Sequence, residues 1–457
     1  MKRVLIVGAD FTPSSHPPAL RIRFFAQHLP DFGWEPIVLT VDPKYYETAI
    51  NIENERLLRS DLEIIRTRAL PAKLTRKVGF GDLGLRSLWH QWHALSRLVR
   101  QRKIDLIFIP VPPNPTLILG RLAHVRFGIP YVIDYIDPVV TEYYWKLPRS
   151  QRPPKHALAY AMGRLMERFA IANVARITGV SQGTTDSVIA RYPWLNGNQA
   201  TEIPYGGEPA DFEYIRRHPR RNVIFDSSDG LRHFSYIGAY TVSMAPVLRA
   251  LFAGIARARA RNPEPFSRVR VHFVGTRYFS GRGPQEQARP IASEFGIADI
   301  VDEHPDRVPY LDALNLLLNS NALLVIGSVE PHYTASKIFP YILAEKPLLT
   351  VFHEQSSVVK ILADTEAGEA ITFSDQHPLS QTVEKIAISF QRLLDLPPDF
   401  RQPLRREVFE SYTTRTMAAE LARVFDKAIE VPCTGGDDSS LSLMTNRNEF
   451  EHTRSHT

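Results

Sequence analysis

Arg3-Val4-Leu5-Ile6-Val7-Gly8 opens the stretch that decides the fold, and Pro36-Ile37-Val38-Leu39-Thr40 closes it. The first segment is a short β-branched run that stops at a glycine, as a buried parallel strand does. A loop rich in Pro and Ser spans residues 12–18, and residues 19–29 carry apolar side chains at helical spacing. The second segment is again a strand. Strand, loop, helix and strand within about 40 residues form a βαβ unit, which predicts an α/β fold with a doubly wound parallel sheet.

The pattern repeats, and a second series of the same kind begins at Phe234. A chain of 457 residues exceeds the roughly 250–300 residues that one core supports, so two domains are expected. We place the N-terminal domain at residues 1–210 and the C-terminal domain at residues 211–412. A helix over residues 413–430 is expected to pack back toward the N-terminal domain, and residues 431–457 are expected to form a disordered tail. Two such domains face each other across a central cleft, where parallel sheets bind their ligands.

Composition sets the chemistry of the surface. The formal net charge of +6 permits an anionic ligand or an anionic membrane surface and demands neither. The single cysteine, Cys433, rules out an internal disulfide and a cysteine-built metal site, and it fits a reducing compartment. The first apolar run is too short for a secretory signal, and no run approaches the about 18 residues of a membrane span. We therefore expect a cytoplasmic protein, with peripheral contact to the inner face of the membrane left open, and no nucleic-acid partner.

The two common phosphate-binding motifs are absent. The first strand is followed by Gly8-Ala9-Asp10-Phe11-Thr12-Pro13, which lacks the second and third glycines of a dinucleotide fold, and no P-loop occurs. Two parallel-sheet domains therefore remain without either signature.

The order of the remaining landmarks resembles glycosyltransferase family 4 and its relatives, which have the GT-B fold, over about residues 3–430. These landmarks are Gly33 with Val38-Leu39-Thr40, Tyr131 to Pro138, Gly179-Val180-Ser181, Ile203 to Gly207, Tyr236-Ile237-Gly238, Val271 to Gly275 and Val308 to Leu311. The strongest is Thr334-Ala335-Ser336-Lys337-Ile338-Phe339-Pro340-Tyr341, continuing to Pro347, which resembles the PSK-type donor motif of the group 1 branch. The resemblance implies a hexosyl-transferring, retaining enzyme of polysaccharide or glycoconjugate synthesis. It also implies a nucleotide-sugar co-substrate, a glycan or lipid-linked acceptor, and no metal or other cofactor.

The resemblance places the donor on the C-terminal domain. A helix that starts at Ser336-Lys337 would offer unpaired N–H groups, a hydroxyl and a cation to a diphosphate, and Gly238 would let the backbone approach it. Each of these residues also has a plain structural interpretation, as a helix cap, a solvated lysine or a turn glycine. The donor-binding candidates are Gly238, Arg277, Glu330, His332, Thr334, Ser336 and Lys337.

Two departures from the family pattern weaken the prediction of activity. The family's acidic pair, spaced E-x7-E, would fall on His332 and Pro340, and neither is acidic. Glu330 is near but out of step, and it is the candidate sugar-facing carboxylate. The cations that usually follow the first strand of the C-terminal domain are also missing, and Arg277 is the candidate replacement.

The N-terminal domain would hold the acceptor and any general base. Arg21, Arg23 and Asp134 are the acceptor-side candidates, and Asp137 and His16 are the candidate bases because a carboxylate or imidazole can take a hydroxyl proton. Asp137 precedes a proline and His16 lies in a proline-rich loop, so plain turn and loop roles stay open for both.

A basic helix around His90 to Lys103 either faces anionic lipid or is the solvated face of a sheet-covering helix. Two rival functions also stay open. One is a GT-B-fold binding or scaffold protein that no longer transfers sugar, and the other is a nucleotide-sugar epimerase.

Overall fold

The computed structural model describes residues 1–78, 81–142, 145, 149, 152, 156–277, 286–331, 333 and 335–430. The predicted disordered tail, residues 431–457, lies outside the described residues. Two parallel sheets with helices on both faces make up the described chain, as the sequence predicts. Within the described residues, no helix is long and apolar enough to cross a bilayer.

The first sheet has seven parallel strands in the order β3-β2-β1-β4-β5-β6-β7. The strands are β1 Lys2–Val7, β2 Trp34–Val41, β3 Glu63–Thr67, β4 Leu106–Val111, β5 Tyr131–Tyr135, β6 Arg176–Gly179 and β7 Ala200–Glu202. The β1 to β2 pairing puts Leu5 beside Ile37 and Val7 beside Leu39, so the predicted βαβ unit supplies the centre of the sheet. Both faces of these strands are buried, which is why they are nearly continuous apolar runs.

Helices cover the two faces of the first sheet unequally. One face carries Pro17–His28 and the last helix of the described chain, Thr414–Glu430. The other face carries Leu83–Gln101, Leu117–Phe127, His156–Ile171 and Gln182–Arg191. A short helix, Ala72–Thr75, precedes this second group.

The second sheet has six parallel strands in the order β10-β9-β8-β11-β12-β13. Its strands are β8 Arg232–Ile237, β9 Val269–Val274, β10 Val301–His304, β11 Ala322–Ile326, β12 Leu348–His353 and β13 Ala370–Phe373. Its helices are Pro209–Arg217, Ala245–Arg261, Ala288–Glu294, Tyr310–Asn319, Ile338–Leu343, Ser357–Thr365, Thr382–Asp395 and Arg406–Phe409. The sequence analysis did not predict β13, the edge strand of this sheet.

The chain crosses between the two sheets twice, and the crossings lie side by side. Gly207 N–H donates to the carbonyl of Tyr412 at 2.9 Å, and Thr414 N–H donates to the carbonyl of Gly207 at 2.9 Å. A Cβ atom on Gly206 would lie 2.8 Å from backbone atoms of Thr413 and Thr414, so only a glycine at this position leaves room for the second crossing. The helix Thr414–Glu430 then packs its apolar face on the first sheet.

Candidate functional site

Each sheet has one point where its strand order reverses, and the candidate site lies at these points. In the first sheet the reversal falls between β1 and β4, and in the second between β8 and β11. Loops that follow such strands diverge and leave a crevice at the carboxyl edge of the sheet. The loop after β8 contains Gly238, and the segment after β11 leads to Lys337.

Lys337 and Gly238 meet at this point of the second sheet. The ammonium of Lys337 donates to the Tyr236 hydroxyl at 2.6 Å and to the carbonyl of Ala239 at 3.1 Å. It also lies 4.3 Å from the centre of the Tyr236 ring. Gly238 has φ +142°, and a Cβ atom there would lie 3.0 Å from the Lys337 ammonium. The glycine therefore makes room for the cation beside a half-buried turn of backbone.

The electrostatics of Lys337 favour an anionic ligand. Burial and, to a smaller extent, the charge of Arg307 together lower the pKa of Lys337 to about 7. Its hydrogen-bond partners among the described residues are a hydroxyl and a carbonyl, with no carboxylate. A cation held this way lacks a counter-ion, and a diphosphate would supply one.

Two hydrogen bonds connect the end of β8 to the helix that follows the Lys337 turn. Ile237 N–H donates to the Tyr341 hydroxyl at 2.5 Å, and that hydroxyl donates to the Ile237 carbonyl at 3.0 Å. Tyr341 lies in the helix Ile338–Leu343, four residues after Lys337. The tyrosine therefore fastens the Lys337 turn to the end of β8.

The predicted helix start at Ser336-Lys337 is wrong by two residues. The helix begins at Ile338 and has six residues, and Ser336 and Lys337 form the turn before it. Ser336 is exposed and does not cap the helix. The diphosphate hypothesis at this position therefore rests on the Lys337 ammonium and the Gly238 turn, not on a helix dipole. Pro340 lies inside the helix, where it has no side-chain group to offer a ribose.

Of the remaining donor candidates, the structure describes Arg277 and Glu330. Arg277 pairs with Asp306 at 2.8 Å, so the cation that acts on Lys337 is Arg307 rather than Arg277. Glu330 is exposed in the segment after β11, and its N–H donates to the Ser328 hydroxyl. His332 and Thr334 lie outside the described residues.

On the facing domain, His16 pairs with a carboxylate that the sequence analysis did not single out. Its Nδ1 atom lies 3.1 Å from Asp10 Oδ2, which also accepts from the Ser14 hydroxyl at 3.0 Å. Asp10 is nearly buried, and His16 keeps 44% of its side chain exposed. A buried carboxylate behind an accessible imidazole orients the ring and leaves Nε2 to receive a proton.

Asp137 is a second carboxylate at the same edge, just after β5. The Asp137 side chain is exposed, yet desolvation raises its pKa. Burial raises the pKa of Tyr205, just before the crossing at Gly207, and the charge of Asp137 adds to this rise. Asp137 therefore lies near the crossing between the two sheets.

The acceptor-side arginines are committed to structural pairs. Arg21 makes a two-point ion pair with Asp134, at 2.7 and 3.0 Å, and also donates to the carbonyl of Ile203. Arg23 makes a two-point pair with Asp211, at 2.9 and 2.5 Å. All four side chains are buried. The Arg21–Asp134 pair lies within the first domain, beside the crossing at Ile203, and the Arg23–Asp211 pair lies where the two domains meet. An acceptor-side role for Arg21, Arg23 and Asp134 stays a prediction.

The Arg23 pair joins the two domains. Burial by itself would lower the pKa of Arg23, but the carboxylate of Asp211 outweighs it and raises that pKa. Tyr310, from the second domain, also donates to Asp211 at 2.7 Å. Beside this junction is a cavity of about 250 Å³ whose lining includes Arg56 and Tyr214.

Metal binding finds no support in the part of the chain that is described, where no group of three or more His, Cys, Asp or Glu side chains could hold an ion.

Residues 18–206 match the family model described as a glycosyl transferase 4-like domain. No curated protein matches the chain. A glycosyltransferase from Rickettsia africae is 10% identical, with TM-score 0.57, and the alignment covers 94% of this chain and 99% of that one.

Two further solved structures are similar in fold. HepE from Anabaena in complex with UDP-glucose is 13% identical, with TM-score 0.55, covering 93% of this chain and 100% of that one. A UDP-forming α,α-trehalose-phosphate synthase from Burkholderia xenovorans is 11% identical, with TM-score 0.58, covering 94% and 100%. At these identities the likeness shows the fold, which is GT-B. The predicted resemblance to glycosyltransferase family 4-like proteins is confirmed by this fold and by the match over residues 18–206.

Proposed function

We propose that this protein is a glycosyltransferase that moves a sugar from a nucleotide-sugar donor to an acceptor hydroxyl. The observation that carries the proposal is Lys337, a cation without a carboxylate partner among the described residues, held over the Gly238 turn where the second sheet reverses. The family match and the fold neighbours support the same chemistry. HepE, one of those neighbours, has been seen with UDP-glucose.

The C-terminal domain holds the donor in this proposal. The diphosphate lies against the Gly238-Ala239 turn, with the Lys337 ammonium and the exposed Arg307 beside it. As the bond from the anomeric carbon to the diphosphate breaks, negative charge grows on the leaving oxygen. Cations fixed in a partly desolvated site stabilise that charge without reorganising.

The N-terminal domain holds the acceptor. His16, oriented by Asp10, takes the proton from the acceptor hydroxyl as its oxygen bonds to the anomeric carbon. Asp137 is the alternative base, and Glu330 the carboxylate nearest the sugar. The finer assignments rest on the family resemblance. They are a hexosyl group, retention of configuration, a polysaccharide, lipid-linked or other glycoconjugate acceptor, action in the cytoplasm, and no metal.

Titration calorimetry with UDP, GDP and dTDP tests the donor half of this proposal. We expect one of them to bind, and Lys337→Met to weaken it by about tenfold or more, the loss of one charge-assisted contact. Lys385→Met, an exposed lysine of the same domain, is the matched control and should change nothing. If none of the three nucleotides binds, the proposal fails.

A GT-B-fold binding protein without transfer is the second candidate, and Pro340 favours it. The helix Ile338–Leu343 offers no carboxylate where the family has its second acidic residue. Turnover separates the two functions. Release of nucleoside diphosphate that depends on an added acceptor supports transfer, tight nucleotide binding without release supports the binding protein, and an altered sugar without acceptor indicates epimerisation.

A further inference from the structure

The cavity of about 250 Å³ where the two domains meet has one wall from each domain. The wall from the N-terminal domain includes Arg23, Gln27 and Arg56. The wall from the C-terminal domain comes from the helix Pro209–Arg217. The volume is below the roughly 300–1,000 Å³ of sites for drug-sized ligands, so a ligand of this cavity would be small.

The two buried carboxylates that line the cavity already have partners. Asp211 forms the two-point ion pair with Arg23. Glu208 accepts from the Thr414 hydroxyl at 2.7 Å and lies 2.7 Å from the Nε2 atom of His28. Because both carboxylates are committed to the junction, the cavity does not favour a cationic ligand.

Arg56 supplies a cation that has no carboxylate partner. Its side chain is exposed, and a hydrogen bond with the Tyr214 hydroxyl raises the pKa of its guanidinium. The charge of Glu53 also acts on Arg56, but Glu53 forms its ion pair with Arg220, at 3.0 Å. Among the described residues, the Arg56 guanidinium therefore keeps donors for a ligand.

Arg217 and Arg23 add donors on the two walls. Arg217 pairs with Glu213, four residues earlier, at 3.1 Å, and both side chains are more than half exposed. An exposed pair of this kind is weak, so an anion can compete for the guanidinium. The Nε atom of Arg23 is buried and has no hydrogen-bond partner in the described part of the chain. A buried donor is costly to leave unpaired, and a ligand oxygen in the cavity that Arg23 lines would satisfy it.

The rest of the lining is largely apolar. Leu57 and Leu58 are half-buried on the first wall. On the second wall the ring of Tyr214 stacks on His218, with 4.2 Å between the ring centres. The carbon atoms of a small ligand can lie against these surfaces while its charged group meets the arginines.

We propose that this junction cavity binds a small phosphate-bearing anion, which Arg56 holds from the first domain and Arg217 from the second. Guanidinium groups form two-point hydrogen bonds with phosphate oxygens, and one phosphate has enough oxygens to accept from both walls. The ligand would hold the two domains in the arrangement seen here. The inference goes beyond sugar transfer, because neither arginine belongs to the proposed donor site or to the proposed base.

Titrations of the full chain followed by ³¹P NMR, with inorganic phosphate and with glycerol 3-phosphate, test the inference. Lys337→Met is the background throughout, because the donor-site ammonium also attracts phosphate. We expect saturable binding of both anions at an ionic strength held constant with chloride. Tighter binding of glycerol 3-phosphate assigns the site to a phosphomonoester, and equal affinities assign it to inorganic phosphate.

Two variants alter exposed residues of the cavity, one on each wall. Arg56→Gln removes a cation. Ala210→Glu adds a carboxylate in the first turn of the helix Pro209–Arg217, where an acidic side chain suits the helix dipole. Each should raise the Kd for phosphate by about tenfold or more. Arg97→Gln is the matched control, because Arg97 is exposed on a helix that covers the other face of the first sheet, and its Kd should be unchanged.

Three results would overturn the inference. They are the absence of saturable binding, an equal affinity for acetate, whose two oxygens cannot serve both walls, and a Kd that rises in Arg56→Gln but not in Ala210→Glu. Thermal unfolding of each variant in chloride should stay close to that of the background, which excludes misfolding as the cause of a weaker Kd. Because the titrations use no nucleotide, they test the junction site independently of the donor site.

Discussion

Raising the pH should weaken donor binding through Lys337. Burial sets the pKa of this lysine to about 7 in the free protein, so near neutrality only about half of the molecules carry the ammonium. A diphosphate binds the ammonium better than the neutral amine, so the pKa rises in the complex. Above about pH 7 binding must then take up a proton, and affinity falls with pH by up to about tenfold per unit until the bound-state pKa is passed.

The size of the fall follows from the contact that Lys337 makes. A hydrogen bond to a charged partner contributes about 1.5–3 kcal/mol. One pKa unit corresponds to about 1.4 kcal/mol, so the contact raises the pKa of Lys337 by roughly one to two units. The total loss of affinity between about pH 6 and pH 10 should accordingly be about 10- to 100-fold.

Calorimetry with a nucleotide sugar measures this directly, because its diphosphate diester does not titrate in that range. Proton uptake should be roughly 0.4–0.8 per nucleotide at about pH 8, as seen from the dependence of the heat on buffer. Lys337→Met should bind weakly and almost independently of pH, with no linked proton. If the variant keeps the wild-type slope, another group causes it and the assignment of Lys337 is refuted.

The same variant should be more stable than the wild type, which guards against misfolding as an explanation. Lys337 has its pKa lowered on folding from 10.5 to about 7. The unfolded chain therefore holds the extra proton between those values, and stability rises as the pH increases through about 7 toward 10. Replacing the lysine with Met removes the buried charge, so the unfolding temperature at neutral pH should rise. A lower unfolding temperature would mean that Lys337 serves the fold instead.

The remaining predictions concern the junction, the base and the glycine turn. Arg23→Met leaves the buried Asp211 carboxylate without a cation and with only the Tyr310 hydroxyl bond described above, so the free energy of unfolding measured with urea should fall by about 3–5 kcal/mol. As a control, Arg415→Ala breaks the exposed ion pair with Asp31 and should lower the free energy of unfolding by less than about 1 kcal/mol. Equal losses in the two variants would contradict a special role for the buried Arg23–Asp211 pair. His16→Gln should lower kcat about 10²- to 10⁴-fold at unchanged nucleotide affinity. A normal kcat would show that His16 is not the general base. Gly238→Ala puts a Cβ atom 3.0 Å from the Lys337 ammonium, on a residue whose φ of +142° disfavours any side chain, so the nucleotide Kd should rise in calorimetry. An unaltered Kd would show that the turn can adjust without harming the site.

The fold could be predicted because its signals are local. Each central strand is a short apolar run between loops, and β1 with β2 alone identifies a parallel sheet. The missed strand, β13, has only four residues and lies at the edge of the second sheet. Its place in the sheet depends on pairing with β12, which the residues of β13 alone do not show.

The site was harder to predict because its partners are distant in sequence. Arg21 and Arg23 follow the first loop, where an unpaired cation would be functional, but their carboxylates lie 113 and 188 residues away. Asp10 and His16 are six residues apart, and only the loop conformation shows that they pair. Lys337 was identified by resemblance alone, whereas Arg307 and the buried Tyr236 beside it became visible only once β8 and its neighbours were assembled.

A crystal structure with a bound nucleoside diphosphate would show where the donor binds. We predict diphosphate oxygens within hydrogen-bond distance of the Lys337 ammonium and beside the backbone of Gly238 and Ala239. A diphosphate bound elsewhere, such as in the junction cavity beside Arg56, with Lys337 still held only by Tyr236 and Ala239, would contradict it.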